Sequence, residues 1–291
     1  MSATTTISDW IKAPVTLDGP DEFAIGDVHG CREQLDSLLQ TMADEAPAGS
    51  CLTFLGDLIN RGSDSLGCLR LAARPAGELG FGECHVLFGN HETMMLRAMG
   101  TQDDEQRDAF CLWADNGGWA TMESFGVVEE EYDELGRLKL AEPIRASLDE
   151  TATLLDRLET HRRAGNLLFV HAGIHPRIPL GRWFAGDPLR PVINENTHFA
   201  WIRFPFLGFE EKFENGLIVV HGHTPEDIVQ AWKGRRDAVL HRLDGWRLGL
   251  DSGSYRTGRV AGAQFRDGEY RVFTTSGRFC QLSRQVEQVP D

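Results

Sequence analysis

Phe23-Ala24-Ile25-Gly26-Asp27-Val28-His29-Gly30 sets how the rest of the chain is read. A short apolar run stops at a glycine, and behind it an aspartate and a histidine stand two residues apart. In extended backbone both side chains leave on one face. The same order returns further on. Cys51 to Leu55 runs into Gly56-Asp57-Leu58-Ile59-Asn60-Arg61-Gly62, and Val86-Leu87-Phe88 runs into Gly89-Asn90-His91-Glu92. Leu167 to Val170 runs into His171-Ala172-Gly173, and Leu217 to Val220 into His221-Gly222-His223-Thr224. Between the first runs, Arg32 to Met42 carries Leu35, Leu38, Leu39 and Met42 at helical spacing. Strand, polar loop and helix in alternation predict an α/β protein whose polar clusters gather beyond the carboxyl ends of its strands.

After Glu92 the pattern changes to a helical region running to about Arg163, interrupted by Asn116-Gly117-Gly118 and by the acidic run Glu129-Glu130-Glu131. It reads as an insertion or cap. The last forty residues alternate in short, glycine-rich segments and are expected to be strands closing a second sheet. At 291 residues, 41% hydrophobic and 25% charged, the chain has the composition of a globular protein, which excludes a disordered or fibrous one. No apolar run approaches the roughly 18 residues of a membrane span. The N-terminal stretch lacks a cationic start and an apolar core, so a cytoplasmic location is expected. Six cysteines, at 31, 51, 68, 84, 111 and 280, form no C-x-x-C pair and read as buried free thiols. A net charge of −15 argues against a nucleic-acid polymer as partner, so a phosphorylated substrate must be drawn by local cations.

The strand-end residues suit metal chemistry. Asp27, His29 and Asp57 can hold one ion and Asp57, Asn90, His171 and His223 a second, with the two oxygens of Asp57 bridging. Nitrogen and oxygen donors without thiolate suit manganese, iron or zinc. Two divalent ions set against two aspartates and a bridging hydroxide leave the centre at about +1. His91 can donate a proton, and Arg61 offers a planar fork to phosphate.

In this order, GDVHG, GDLINRG, GNHE, HAG and GHT resemble the motifs of the calcineurin-like metallophosphoesterases, and within them the PPP-type phosphatases that include the bacterial serine/threonine phosphatases. The set spans Gly26 to Thr224, and NGGWATMESFG and FAWIRFPFL are similar to segments of the bacterial members. The resemblance implies an α/β, two-sheet β-sandwich flanked by helices, one domain over residues 1–291 with a helical insertion at about 92–163. It implies two divalent ions, manganese first, with iron or zinc as alternatives. Hydrolysis is expected to be direct, by attack of a metal-bridging hydroxide, with His91 protonating the leaving alkoxide and Arg61 and Arg203 gripping phosphate. His221 is expected behind the ligands. Asn60 stands where the family has an aspartate partnering that histidine. Its oxygen is expected to accept a ring N–H of His91 without stabilising the imidazolium by charge.

The activity implied is that of a serine/threonine protein phosphatase acting on a phosphorylated protein or peptide. The alternative is a symmetrical dinucleoside tetraphosphatase with the same metals. Asn60 favours the alternative, because that subgroup also lacks the aspartate; Glu92 and the NGG and WIR segments favour the first, because the subgroup has Asp after Asn-His. A silent scaffold is opposed by the completeness of the ligand set. Glu129 to Glu134 reads as a solvated acidic face, and Trp113, Trp119, Trp183 and Trp201 as core or groove aromatics.

Overall fold

Alternation at the motif strands decides the layering. In the computed structural model, which describes residues 3–100, 104–127 and 152–280, the chain opens with β1 (Thr4–Ile7), β2 (Ile11–Lys12) and β3 (Glu22–Ile25). Helix α1 (Arg32–Glu45), β4 (Cys51–Phe54), α2 (Ser65–Ala72) and β5 (Glu83–Val86) follow. Phe23 and Ile25 face one core together with Leu35, Leu38, Leu39 and Met42 of α1, whereas Ala24 between them faces a second core. The strands β3, β4 and β5 pair in parallel, with Ile25 opposite Phe54 and Phe54 opposite Val86. Parallel strands in this register release their following loops along one edge, so the first three polar clusters meet there.

Helices α3 (Asn90–Gly100), α4 (Asp104–Trp113), α5 (Trp119–Ser124) and α6 (Ala152–Leu155) come next. The second sheet is built from β6 (His161–Ala164), β7 (Leu167–Val170), β8 (Ile218–His221) and β9 (Arg247–Gly249), in that order. Short helices α7 (Leu180–Trp183) and α8 (Glu226–Trp232) lie between its strands. Leu167, Phe169, Ile218 and Val220 face the core shared with Ala24, Ala263 and Phe265, while Leu168, Val170 and Val219 face Trp183, Phe199 and Val229. Each sheet is therefore apolar on both faces, as the near-continuous apolar runs require. The strands β7, β8 and β9 are also parallel, so His171 and His223 emerge together.

Two expectations need correction. After α9 (Ser254–Thr257), the C-terminal strands β10 (Ala261–Arg266) and β11 (Glu269–Ser276) do not close the second sheet. They join the first, where β10 runs antiparallel to β3 with Gly262 opposite Ile25. The open edge of β3 accepts the hairpin, and β11 then carries β1 and β2. The helical region also ends before Arg163, because His161 to Ala164 pair with β7 as a strand. From that strand Arg162 reaches the buried Glu22 carboxylate through two bonds, of 2.5 and 2.9 Å. The acidic stretch Glu129 to Glu134, and the rest of 128–151, lie outside the described residues. Among the described residues no helix is long and apolar enough to cross a membrane.

Glu226 opens α8 beneath the second sheet, with its carboxylate buried and bonded to Gln230 at 2.5 Å. Burial, with Asp244 adding to it, pushes this carboxyl up to about 7 from its usual 4.5. A carboxyl raised in the folded state holds its proton more tightly there than in the unfolded chain. Its contribution to stability is full below about pH 4.5 and is lost as the pH rises through about 7. Glu226→Gln should leave urea stability unchanged at pH 4 and raise it at pH 8 by about 1–3 kcal/mol. A variant no more stable than the parent at pH 8 would show that the buried charge is not a liability.

Candidate active site

The site is assembled from turns that ordinary residues adopt reluctantly. His29, Asp57, Asn60, Arg61 and His223 all have positive φ, between 47° and 71°. For non-glycine residues this costs energy and persists only where surrounding bonds enforce it. Glu92 supplies much of that enforcement. Its carboxylate accepts the backbone N–H groups of Asp57 and Leu58, each at 2.8 Å, and of Gly89 at 3.1 Å, which caps the first turn of α3. In return, Asp57 Oδ1 accepts the His91 N–H at 3.0 Å. Gly222 allows another close approach: a Cβ there would lie 2.0 Å from Asp27 Oδ1. Through this gap the Asp27 carboxylate takes the His223 N–H at 3.0 and 3.1 Å.

The predicted ligands converge, and all are buried. Asp57 lies at the centre, with His29 Nε2 at 3.7 Å and His91 Nε2 at 3.9 Å from Oδ2, and His171 Nε2 at 3.4 Å from Oδ1. Asn90 Oδ1 lies 3.0 Å from His171 Nε2 and 2.9 Å from His223 Nδ1. Two compact groups result, His29-Asp57-His91 and Asp57-His171-His223, sharing Asp57. His91 thus sits as near as a ligand would to the first group. Asp27 reaches the centre through the His223 turn.

This donor set fits divalent ions on two counts. His29 Nδ1 donates to the Ile59 carbonyl at 2.9 Å and His171 Nδ1 to the Leu55 carbonyl at 2.8 Å, leaving each Nε2 for a cation. The charges also call for cations. Burial, then Asp251 and Asp57, raise Asp27 well above the carboxylate range. Burial pushes Asp251 up to about 6 and Glu92 up to about 7. Burial opposes ionised Asp57, yet His171 and His91 hold it well below its usual range. Burial likewise disfavours charge on His171, but Asp57 and the other carboxylates raise it to about 10. A proton on His171 offsets negative charge that an ion would otherwise balance.

The Asn60 expectation is overturned in its geometry. Its Oδ1 is engaged by the indole N–H of Trp113 at 3.0 Å and by the hydroxyl of Thr121 at 2.7 Å. An indole nitrogen can only donate, so the oxygen must face Trp113 and the amide nitrogen must face His91. Asn60 Nδ2 therefore donates to His91 Nδ1 at 2.6 Å, and His91 carries its proton on Nε2. Burial also presses His91 well below its usual range. Trp113 and Thr121 flank the Asn116-Gly117-Gly118 segment, where Asn116 and Gly117 leave helical geometry and the chain kinks between α4 and α5. Gly117, at φ 90°, presents its carbonyl to the Arg61 N–H at 3.1 Å, and a Cβ there would lie 2.7 Å from the Arg61 side chain.

Arg61 lies 4.8 Å over the Tyr255 ring, which in turn is 5.6 Å from the His29 ring. Arg203 is near enough to His223 to help lower it, after burial, and is held by Glu195 at 2.7 Å. His221 stays outside both ligand groups, packed 5.0 Å from the Phe206 ring. Cys31 is buried, with its thiol pushed up by Cys280 and by burial, as suits an inert group. The sequence reading missed Asp251, Tyr255 and Thr121, and it named Trp113 only as a core or groove aromatic; that side chain lies in the core and also bonds Asn60. Asp251 could have been found, since Leu248-Gly249-Leu250 ends in Asp251-Ser252-Gly253 just as the other apolar runs end.

Comparison with known proteins agrees with this arrangement. The model of the calcineurin-like phosphoesterase family matches residues 23–248. A symmetrical bis(5'-nucleosyl)-tetraphosphatase of Chromohalobacter salexigens is 41% identical over 269 residues, covering 86% of this chain and 96% of that protein. Another of the same name, from Paracidovorax citrulli, is 31% identical over 227 residues, covering 77% of this chain and 62% of that protein. Among solved structures, a variant of a cold-active protein tyrosine phosphatase shares the fold at a TM-score of 0.50 and 18% identity, covering 90% of this chain and 82% of that one. With the family's motifs on the ends of the expected strands and its model matched over most of the chain, this protein belongs to the calcineurin-like phosphoesterases, metal-dependent phosphoric ester hydrolases.

Proposed function

We propose that the chain hydrolyses a dinucleoside tetraphosphate symmetrically, releasing two nucleoside diphosphates. The observation that carries this reading is the bond from Asn60 Nδ2 to His91 Nδ1. An imidazole accepting at Nδ1 has a single N–H, at Nε2, and resists the second proton that would make it a strong acid. A serine or threonine alkoxide leaves as a strong base and needs such an acid. A nucleoside diphosphate leaves as an anion stable near neutral pH and does not. The names carried by the 41% and 31% identical relatives support the same choice. Glu92 no longer argues for a protein phosphatase, because it acts on backbone turns and its form reflects their geometry.

Asp27, His29 and Asp57 would hold one divalent ion and Asp57, Asn90, His171 and His223 the other, donors that suit manganese, iron or zinc. Such ions supply positive charge opposite the scissile phosphate and lower the pKa of attacking water. Arg61, whose backbone N–H is held by the Gly117 carbonyl and whose guanidinium lies over Tyr255, presents its fork to non-bridging oxygens. Arg203 uses one guanidinium nitrogen on Glu195 and has others for phosphate. The His91 Nε2–H is a neutral hydrogen-bond donor to the reacting group. Water gives up a proton to solvent as its oxygen bonds to phosphorus, the P–O–P bridge breaks, and the bridge's electron pair leaves on the nucleoside diphosphate.

The direct test strips the protein of metal, restores manganese, and compares diadenosine tetraphosphate with a phosphothreonine peptide, using Asp57→Asn as background. Nucleotide turnover should exceed peptide turnover by about 100-fold or more, and chelation should abolish both. Peptide turnover in excess would sink the proposal. A second test follows from His91. Asn60→Asp keeps acceptors for Trp113 and Thr121 but places a carboxylate beside Nδ1, so His91 gains proton affinity. The alkaline limb of the rate profile for an aryl or alkyl phosphate should move up by about one pH unit. An unmoved limb would show that this contact does not set the proton affinity of His91.

A further inference from the structure

Beside the metal-ligating cluster lies a separate pocket of about 200 Å³, between α3, α4 and the segment leading to Trp201. Its walls include Met94, Arg97, Leu112, Arg190, Glu195 and Trp201. Helix α3 begins with Asn90 and His91, and Arg97 lies seven residues beyond Asn90, about 10 Å of helical rise. Trp201 forms the partition on the other side. Its carbonyl accepts the His223 Nε2–H at 3.2 Å, and its ring lies 6.3 Å from that of His223. A substrate with its reacting phosphate at Asp57 could thus reach the pocket with its next moiety.

We infer that this pocket is the subsite for one nucleoside of the substrate. The inference rests on the tetraphosphatase reading for the identity of that substrate. The lining has the mixture a nucleotide needs. Trp201, Met94 and Leu112 offer an aromatic and apolar surface for the faces of a base. Arg97 and Arg190 place two cations where the polyphosphate enters, in a chain whose net charge of −15 otherwise repels it. Glu195 can accept from ribose hydroxyls or an exocyclic amine. The buried indole Nε1 of Trp201 has no hydrogen-bond partner, a donor left for a ligand to answer. The volume is below the roughly 300–1,000 Å³ of pockets for drug-sized ligands, so it takes one base with its sugar and not the whole dinucleotide. Glu195 also holds Arg203, so one carboxylate joins this pocket to the predicted phosphate grip.

The test compares the binding of ADP and inorganic pyrophosphate by calorimetry, using full-length protein with manganese. The two ligands share a diphosphate, and only ADP carries a nucleoside. ADP should bind at least about tenfold more tightly. Leu112→Trp, which fills the pocket from the half-exposed face of α4, should bring the two affinities together, whereas Arg190→Gln should weaken both ligands and leave their ratio unchanged. The readout is a ratio within one protein, so a general loss of metal or of folded material cancels. Equal affinities in the parent, or a ratio that survives Leu112→Trp, would overturn the subsite. Should the ratio be present and sensitive to Leu112→Trp while diadenosine tetraphosphate is not hydrolysed, the pocket stands and the tetraphosphatase reading fails. Hydrolysis of the dinucleotide with equal affinities would mean the reverse.

Discussion

The carboxylate of Glu92 joins two strand-end turns that would otherwise be free to drift. It takes backbone N–H groups from Asp57 and Leu58 after β4 and from Gly89 after β5, while Asp57 takes the His91 N–H in return. Asp57, Asn90 and His91 are all set by this exchange. Asp57 is held at a positive φ that places both its oxygens among imidazoles, and α3 starts with Asn90 and His91 already aimed. Burying a carboxylate is costly, and the raised proton affinity of Glu92 shows that cost. Three backbone donors offset it. The strain at Asp57, Asn60 and Arg61 is sustained by bonds of this kind, and packing alone would not hold it.

How far this was legible in the sequence differs by layer. Five apolar runs, each ending in a polar cluster, were enough to read the parallel strands and the convergence of Asp27, His29, Asp57, Asn90, His171 and His223. Parallel register turns sequence order into proximity with no further information. The C-terminal strands were misplaced because an alternating segment states which face is buried and says nothing of which edge it pairs with. The open side of β3 decided that, more than two hundred residues away in the chain. Asp251 escaped for a different reason. Its run is only Leu248-Gly249-Leu250, and the central glycine hides the pattern.

Asn60 shows the limit of reading a residue by its type. An amide presents an acceptor and a donor of nearly equal size, and the sequence cannot say which one faces a given neighbour. That depends on Trp113, over fifty residues further on, whose indole can only donate. Once the oxygen is committed to Trp113 and Thr121, the nitrogen is committed to His91, and the histidine tautomer follows. The NGG segment belongs to the same logic. Its text resembles protein phosphatases, but its work is to turn Trp113 and Thr121 toward Asn60 and the Gly117 carbonyl toward Arg61. A motif that supports other motifs says little about substrate.

Charge presents the remaining constraint. A phosphoric ester hydrolase with net charge −15 must attract an anion to a centre where Asp27, Asp57, Glu92 and Asp251 are themselves buried. Without cations the nearest compensation is a proton on His171, raised to about 10, and that proton occupies the nitrogen an ion would need. A cation bound at His171 Nε2 would displace that proton. Arg61 and Arg203 cannot substitute for such a cation. One is stacked on Tyr255 and the other is held by Glu195, so both are already engaged within the protein. Any field that draws an anion into the site must therefore come mainly from bound ions.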